Sequence, residues 1–361
     1  MTPSVRPDPP FWRGRRVLLT GHSGFKGAWA ALWLEKMGAE VHGFALPPDT
    51  SPSLWAELDS SPLASETLAD LDDGEALDEA VRRARPQIVF HMAAQALVRR
   101  GVADPVGTFA TNTLGTARLL AALSGSEGLE AVIVVTTDKV YAEDGPRRFV
   151  EEDRLGGSDP YSASKAATEL VAQSFAATFF DPVGARVATA RAGNVIGGGD
   201  WAEDRLVPDV WRAIRAGDPA RLRAPEAVRP WQHVLEPLAG YFVYAEALQS
   251  GREPPRALNF GPDAGGSLSV GEVAARIGAA LGSTSPWEPD ERAHPEERAF
   301  LAIDSTLARE TIGWAPRLDP REAVEWTAAW YRGHGEGGSA RNLCLDQIER
   351  YEALPSRMID R

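Results

Sequence analysis

Residues Arg15–Gly27 read RRVLLTGHSGFKG, and the reading of the fold turns on this stretch. An apolar run closes at Thr20 and enters a turn in which Gly21, Gly24 and Gly27 recur every third residue. Ala28–Gly38 then continues in helix-forming residues stopped by a glycine. Strand, glycine turn and helix in that order make a phosphate cradle. Gly21 permits the tight turn, Gly24 lets backbone approach a pyrophosphate, and Gly27 lets the helix close on the strand, while the helix N-terminus favours negative charge.

An acidic residue about 20 positions further on commonly holds the adenine-side ribose. It is missing here, since the next run ends Gly43-Phe44-Ala45-Leu46 before Pro47-Pro48. No basic cluster replaces it for a 2′-phosphate, so the expected cofactor is NAD. His22 and Lys26 stand inside the loop as added positive charge for the pyrophosphate or as solvated turn residues.

Outward from this stretch, strand-like runs recur at Glu40–Leu46, Gln87–His91, Ala131–Thr136 and Arg186–Arg191, with helical stretches between them. Alternation of this kind predicts an α/β fold, a Rossmann doubly wound parallel sheet whose ligands lie at the carboxyl ends of the strands. After Arg191 the chain turns to Gly-, Pro- and Trp-rich loops, which suits a smaller, mixed α/β substrate-binding region toward the C-terminus. The expected division is an NAD-binding domain at 11–190 with 232–260, a substrate domain at 191–231 with 261–345, and an extended arm at 1–10.

A formal charge of −13 leaves no global basic field for nucleic acid or an anionic membrane, so an anionic ligand must meet local cations. The single cysteine, Cys344, admits no intrachain disulfide and no thiolate metal site. With no apolar segment of membrane-spanning length and no signal-like start, the expected compartment is the cytoplasm.

Chemistry enters at two places. Tyr161 and Lys165 are four apart, which on a helix sets both on one face. A nearby ammonium lowers a phenol's pKa, fitting such a tyrosine to take a proton from a substrate hydroxyl. The spacing alone is common in helices. The second place is Thr137-Asp138-Lys139, where the Ala131–Thr136 run emerges: a hydroxyl to bond a sugar, a proton donor and a proton acceptor, or else a capped turn with a solvated Asp and Lys.

GHSGFKG, HMAAQ at His91–Gln95, Asn112 within TNTLGT, TTDKVY at Thr136–Tyr141 and YSASK at Tyr161–Lys165 together resemble the extended short-chain dehydrogenase/reductases, the nucleotide-sugar epimerase/dehydratase family. RAGNVIGGGDWAEDR (Arg191–Arg205) and RPWQHVLEPL (Arg229–Leu238) are similar to the branch that dehydrates CDP-glucose. The likeness runs from about Phe11 to Arg317 and is faint in the last forty residues. Thr137 departs from it, replacing an expected Ser but keeping the hydroxyl.

The resemblance implies an NAD-dependent lyase acting on a nucleotide-diphosphate hexose by C4 oxidation, loss of water across C5 and C6, and reduction at C6. It implies Tyr161 as base for the 4-hydroxyl, Lys165 on the nicotinamide ribose, Thr137 on the 4-oxygen, Asp138 as acid for the departing 6-hydroxyl and Lys139 as C5 base. The cofactor contacts it implies are Gly21, His22, Gly24, Phe25, Lys26, Gly27, Asp70, Leu71, Ala93, Ala94 and Asn112, the last also supporting the Tyr161 helix. Arg191, Asn194, Arg205 and Arg229 are the candidates for holding sugar and diphosphate. A homodimer or higher homo-oligomer is expected, paired through the Ala-rich stretch Ser162–Phe180. Another nucleotide-sugar 4,6-dehydratase or a 4-epimerase on the same fold, and a non-catalytic NAD-binding protein, are the alternatives; Asp138 and Lys139 have no part in epimerisation.

Overall fold

Seven strands lie parallel in one sheet in the computed structural model, which describes residues 2, 3, 5–142, 145, 147–251, 253–263, 267–292, 301–356, 358 and 359. They are β1 Arg16–Thr20, β2 Glu40–Ala45, β3 Ser65–Leu68, β4 Ile88–His91, β5 Ala131–Val135, β6 Arg186–Ala192 and β7 Ala257–Phe260. Across the sheet the order is β3-β2-β1-β4-β5-β6-β7. The chain winds outward from β1 through β3, then crosses back to lay β4 on the other side. This reversal opens a crevice between the carboxyl ends of β1 and β4, where doubly wound sheets bind ligands.

The helices are α1 Phe25–Lys36, α2 Gly74–Ala84, α3 Val98–Ala103, α4 Pro105–Phe109, α5 Gly115–Leu123, α6 Pro160–Phe175, α7 Leu206–Ala216, α8 Leu235–Gln249, α9 Val270–Ala280, α10 Thr306–Ile312, α11 Pro320–Gly335 and α12 Ala340–Ala353. Both sheet faces are covered, so the central strands are apolar on both sides, as in AVIVV of β5. Leu18, Val89, Val132 and Val134 pack in one cluster with residues of α2, α5 and α6. Val17, Leu19, Ile88, Phe90 and Ile133 face the other way, into a larger cluster with α1 and α8.

Two strands lie outside the expected set. In β3, SETL alternates half-buried and exposed residues at the sheet edge, so it carries no apolar run. β7 is four residues with a polar Asn259 inside. β6 runs one residue past the expected Arg186–Arg191 run, to Ala192.

The ends of the chain also differ from expectation. Met1 and Ser4 of the expected arm lie outside the described residues, but Thr2–Pro3 pairs antiparallel with Met358–Ile359 and Pro9–Trp12 is a helical turn. The stretch from Gly333 onward, to which the sequence assigned nothing, contains α12. That helix lies on the back of α1: Glu352 accepts from Trp33 Nε1 and Lys36 Nζ, each at 2.8 Å, and Arg341 pairs with Glu35 at 2.5 Å. Among the described residues no helix is long and apolar enough to cross a membrane.

Candidate active site

At the carboxyl end of β1, Gly21 has φ +77°, and a Cβ built there would stand 2.6 Å from Ala93 N. One built on Gly27 would run into the Gly21 carbonyl, which is how α1 closes against the strand end. Gly24 caps α1 without a side chain and is exposed, so the first-turn N–H groups of α1 meet no capping group from that residue. An uncapped helix start beside two glycines of this kind fits a pyrophosphate. Thr20 Oγ1 accepts from Met92 N and Ala93 N at 3.2 Å each, which fixes the Met92–Ala94 turn opposite the loop; Ala93 and Ala94 are half-buried there.

The loop's two basic residues part company. His22 does not face a phosphate site. It is fully buried with Nε2 2.8 Å from Glu66 Oε1 and its ring edge-on to Trp55, and burial lowers its pKa despite the Glu66 hydrogen bond. The expectation of a positive charge there is corrected on that ground. Lys26 points into the crevice, its Nζ 3.5 Å from the Tyr241 hydroxyl. Burial first, then the charges of Lys165 and Arg205, bring it down to about 7, with Asp138 pulling the other way. Phe25 packs beneath the turn at Gly197.

α6 begins where Pro160 fixes the first turn and the Asp159 carboxylate accepts from Ser162 N at 3.0 Å. Tyr161 and Lys165 then project from its buried face. Lys165 Nζ donates to Val135 O at 2.9 Å, and burial brings it down to about 8 against the pull of Glu169. The Tyr161 phenol is pushed up by burial; a hydrogen bond with Thr137 and the charge of Arg205 draw it back. The charge of Arg205 therefore acts on the phenol as well, a cation the i, i+4 spacing did not point to.

Off the end of β5, Thr137 caps a short 3₁₀ turn, Asp138–Val140. Thr137 Oγ1 donates to Asp138 Oδ1 at 3.0 Å and Lys139 Nζ donates to the same oxygen at 3.1 Å, with Asp138 fully buried. Lys26, Asp138, Tyr161, Lys165 and Arg205 thus make one electrostatic group. Arg205 is half-buried, with Nη2 3.2 Å from Ala96 O.

Asn112 sits in the π-helical turn Ala110–Leu114 and is buried. Its Nδ2 donates to Gln95 O at 3.0 Å and to Ser164 Oγ at 2.9 Å, and its Oδ1 accepts from Gln95 N, so its side chain braces α6. Asp70 and Leu71 follow β3. Asp70 Oδ1 accepts from Asp72 N at 3.0 Å, and Leu71 packs on Gly115.

Arg191 is not a phosphate ligand. At 2% exposure its guanidinium meets Glu169 through Nε at 3.0 Å and Nη2 at 2.8 Å, and Tyr141 Oη and Glu151 O through Nη1. It lies inside the sheet, on β6. Asn194 follows that strand with φ +38°, its carbonyl taken by Gln232 N; Arg229 lies in the strand Val228–Arg229, paired with Leu268–Ser269. Glu169 escaped the sequence reading although it continues the Tyr161, Lys165 spacing by four. It is fully buried and accepts from Thr136, Thr189 and Arg191.

The model of the NAD dependent epimerase/dehydratase family matches residues 17–261. Over 340 residues the chain is 42% identical to a CDP-glucose 4,6-dehydratase of Salmonella typhimurium, covering 90% of this chain and 94% of that one. It is 31% identical to a dTDP-glucose 4,6-dehydratase of Streptomyces griseus, over 68% and 72% of the two chains. Among solved structures, the dTDP-glucose 4,6-dehydratase of Streptomyces venezuelae with NAD bound superposes with a TM-score of 0.76 at 23% identity, covering 90% of this chain and 99% of that one. A UDP-glucose-4-epimerase of Stenotrophomonas maltophila, also with NAD, does so with a TM-score of 0.76 at 21% identity, covering 90% and 100%.

Proposed function

The chain belongs to the NAD dependent epimerase/dehydratase family, and from that premise we propose that it converts CDP-D-glucose to CDP-4-keto-6-deoxy-D-glucose and water. The observation that carries the reading is the buried Asp138, bridged to Lys139 and Thr137 beside Tyr161. An epimerase has no use for an acid at C6 or a base at C5. On this reading Asp138 and Lys139 serve as that acid and base, beside Tyr161 as the group that handles the 4-hydroxyl.

NAD, when bound, accepts a hydride from C4 and returns one to C6. The cradle for it is Gly21, Gly24, Phe25, Lys26 and Gly27, with Asp70, Leu71, Ala93 and Ala94 along the crevice and Asn112 behind. Tyr161 takes the 4-hydroxyl proton, with Thr137 holding the 4-oxygen and Lys165 the ribose edge. Once C4 is a ketone the C5 proton is acidic; Lys139 removes it while Asp138 protonates the leaving 6-hydroxyl. Arg205, Asn194 and Arg229 supply contacts to sugar and diphosphate, the arginines giving local positive charge on a chain of net charge −13.

The buried free thiol of Cys344 suits the cytoplasm. The surface we assign to self-association is that of α4, α6 and the turn Ala176–Phe180 that follows it, where Val106, Phe109, Leu170 and Phe179 are exposed. Light scattering reporting a monomer would remove that assignment. The activity is tested with CDP-, dTDP-, UDP- and GDP-glucose and product analysis. A 4-keto-6-deoxy sugar made fastest from the CDP sugar is expected, whereas a C4 epimer as sole product would make the protein an epimerase.

A further inference from the structure

The two oxygens of Asp138 are treated differently. Oδ1 accepts from Thr137 and Lys139, whereas Oδ2 has no hydrogen-bond partner among the described residues, in a side chain that is fully buried. Buried polar atoms left single are uncommon, and at a reacting group they mark the atom that awaits its partner. With Oδ1 already receiving two donors, the proton of the neutral acid belongs on Oδ2.

What Oδ2 faces is Gly193, just past the end of β6. A Cβ built on Gly193 would fall inside the van der Waals radii of Oδ2 and Cγ and stand 3.0 Å from the Asp138 Cβ. The aspartate therefore fills the volume that any side chain at 193 would take. Neither neighbour can yield cheaply: Thr137 and Lys139 hold the carboxyl, and Gln232 Nε2 holds the Gly193 carbonyl at 3.0 Å.

We infer that Gly193 is the positioning residue of the acid step, its missing side chain keeping Asp138 where Oδ2 is the proton-donating oxygen. The inference rests on the dehydratase reading. In the step it governs, the Oδ2 proton passes to the 6-oxygen as the C6–O bond breaks and the C5 proton passes to Lys139 Nζ. The C5–H electron pair becomes the C5–C6 double bond, and water leaves.

Gly193→Ala should lower kcat by about one to three orders of magnitude with KM for the sugar nucleotide little changed. In a single turnover reduced nicotinamide should build up, as it should in Asp138→Asn, because Tyr161 and Thr137 still support oxidation at C4. A merely structural defect would slow oxidation and elimination together.

A second measurement needs neither cofactor nor substrate. Gly193→Ala should lower the melting temperature in the parent but much less in an Asp138→Ala background, where Oδ2 and Cγ are gone. If the single variant does not fold and the double variant does, the contact is likewise established. Wild-type turnover by Gly193→Ala, or equal melting losses in both backgrounds, would overturn the inference. Failure of the dehydratase reading reads out separately, as a parent protein that yields no 4-keto-6-deoxy sugar, and the acid-step role falls with it.

Discussion

At the scale of single residues, Lys26 and Tyr161 make claims that a titration can test. Burial, with Lys165 and Arg205 close by, pushes the Lys26 ammonium down to about 7. A pyrophosphate at the start of α1 favours its ammonium form, so NAD binding takes up a proton. Affinity should be full below about pH 7 and decline as pH rises above it, and Lys26→Met should flatten that slope. Fluorescence titration of NAD across this range reads it; a pH-independent Kd in the parent would place Lys26 away from the phosphates. Tyr161→Phe should leave no base for the 4-hydroxyl and abolish the transient rise of reduced nicotinamide in stopped flow. Near-parental turnover would make Tyr161 structural. His22, buried against Glu66, has no part in either prediction.

Between elements, β6 and α6 are joined by Arg191 and Glu169, at 2% and 0% side-chain exposure. Replacing one partner of a buried pair strands the other charge, so Arg191→Met should cost about 3–5 kcal/mol of folding stability, read by urea unfolding. A cost near zero would mean that the four hydrogen bonds seen from the guanidinium carry no net energy. This pair also shows where legibility in the sequence stops. β1, its glycine turn, α1, and the residues after β5 are written in local spacing, and their positions could be read from it. Arg191 could not be, because its partner is 22 residues away across a packed interface and a loop-edge arginine looks the same in one dimension. β3 hid for a related reason: an edge strand half open to water keeps no apolar run.

For the whole molecule, α12 closes the larger core over the back of α1, burying Cys344, Ile348 and Tyr351. Removing residues 340–361 would bare that surface and the Trp33 side of α1, and the melting temperature should fall by several degrees, roughly 2–4 °C for each kcal/mol lost. An unchanged melting curve would show that α12 only rests on the fold. The same helix carries the chain's one thiol, with no exposure and with its ionisation pushed up by burial. A thiol reagent can reach Cys344 only when the helix lifts, so the labelling rate of the intact protein, set against that of the unfolded chain, is a clock for that opening. It gives the free energy of local detachment without a mutation, and running it with and without NAD measures how strongly the cradle at one end of α1 is coupled to the helix lying along its back.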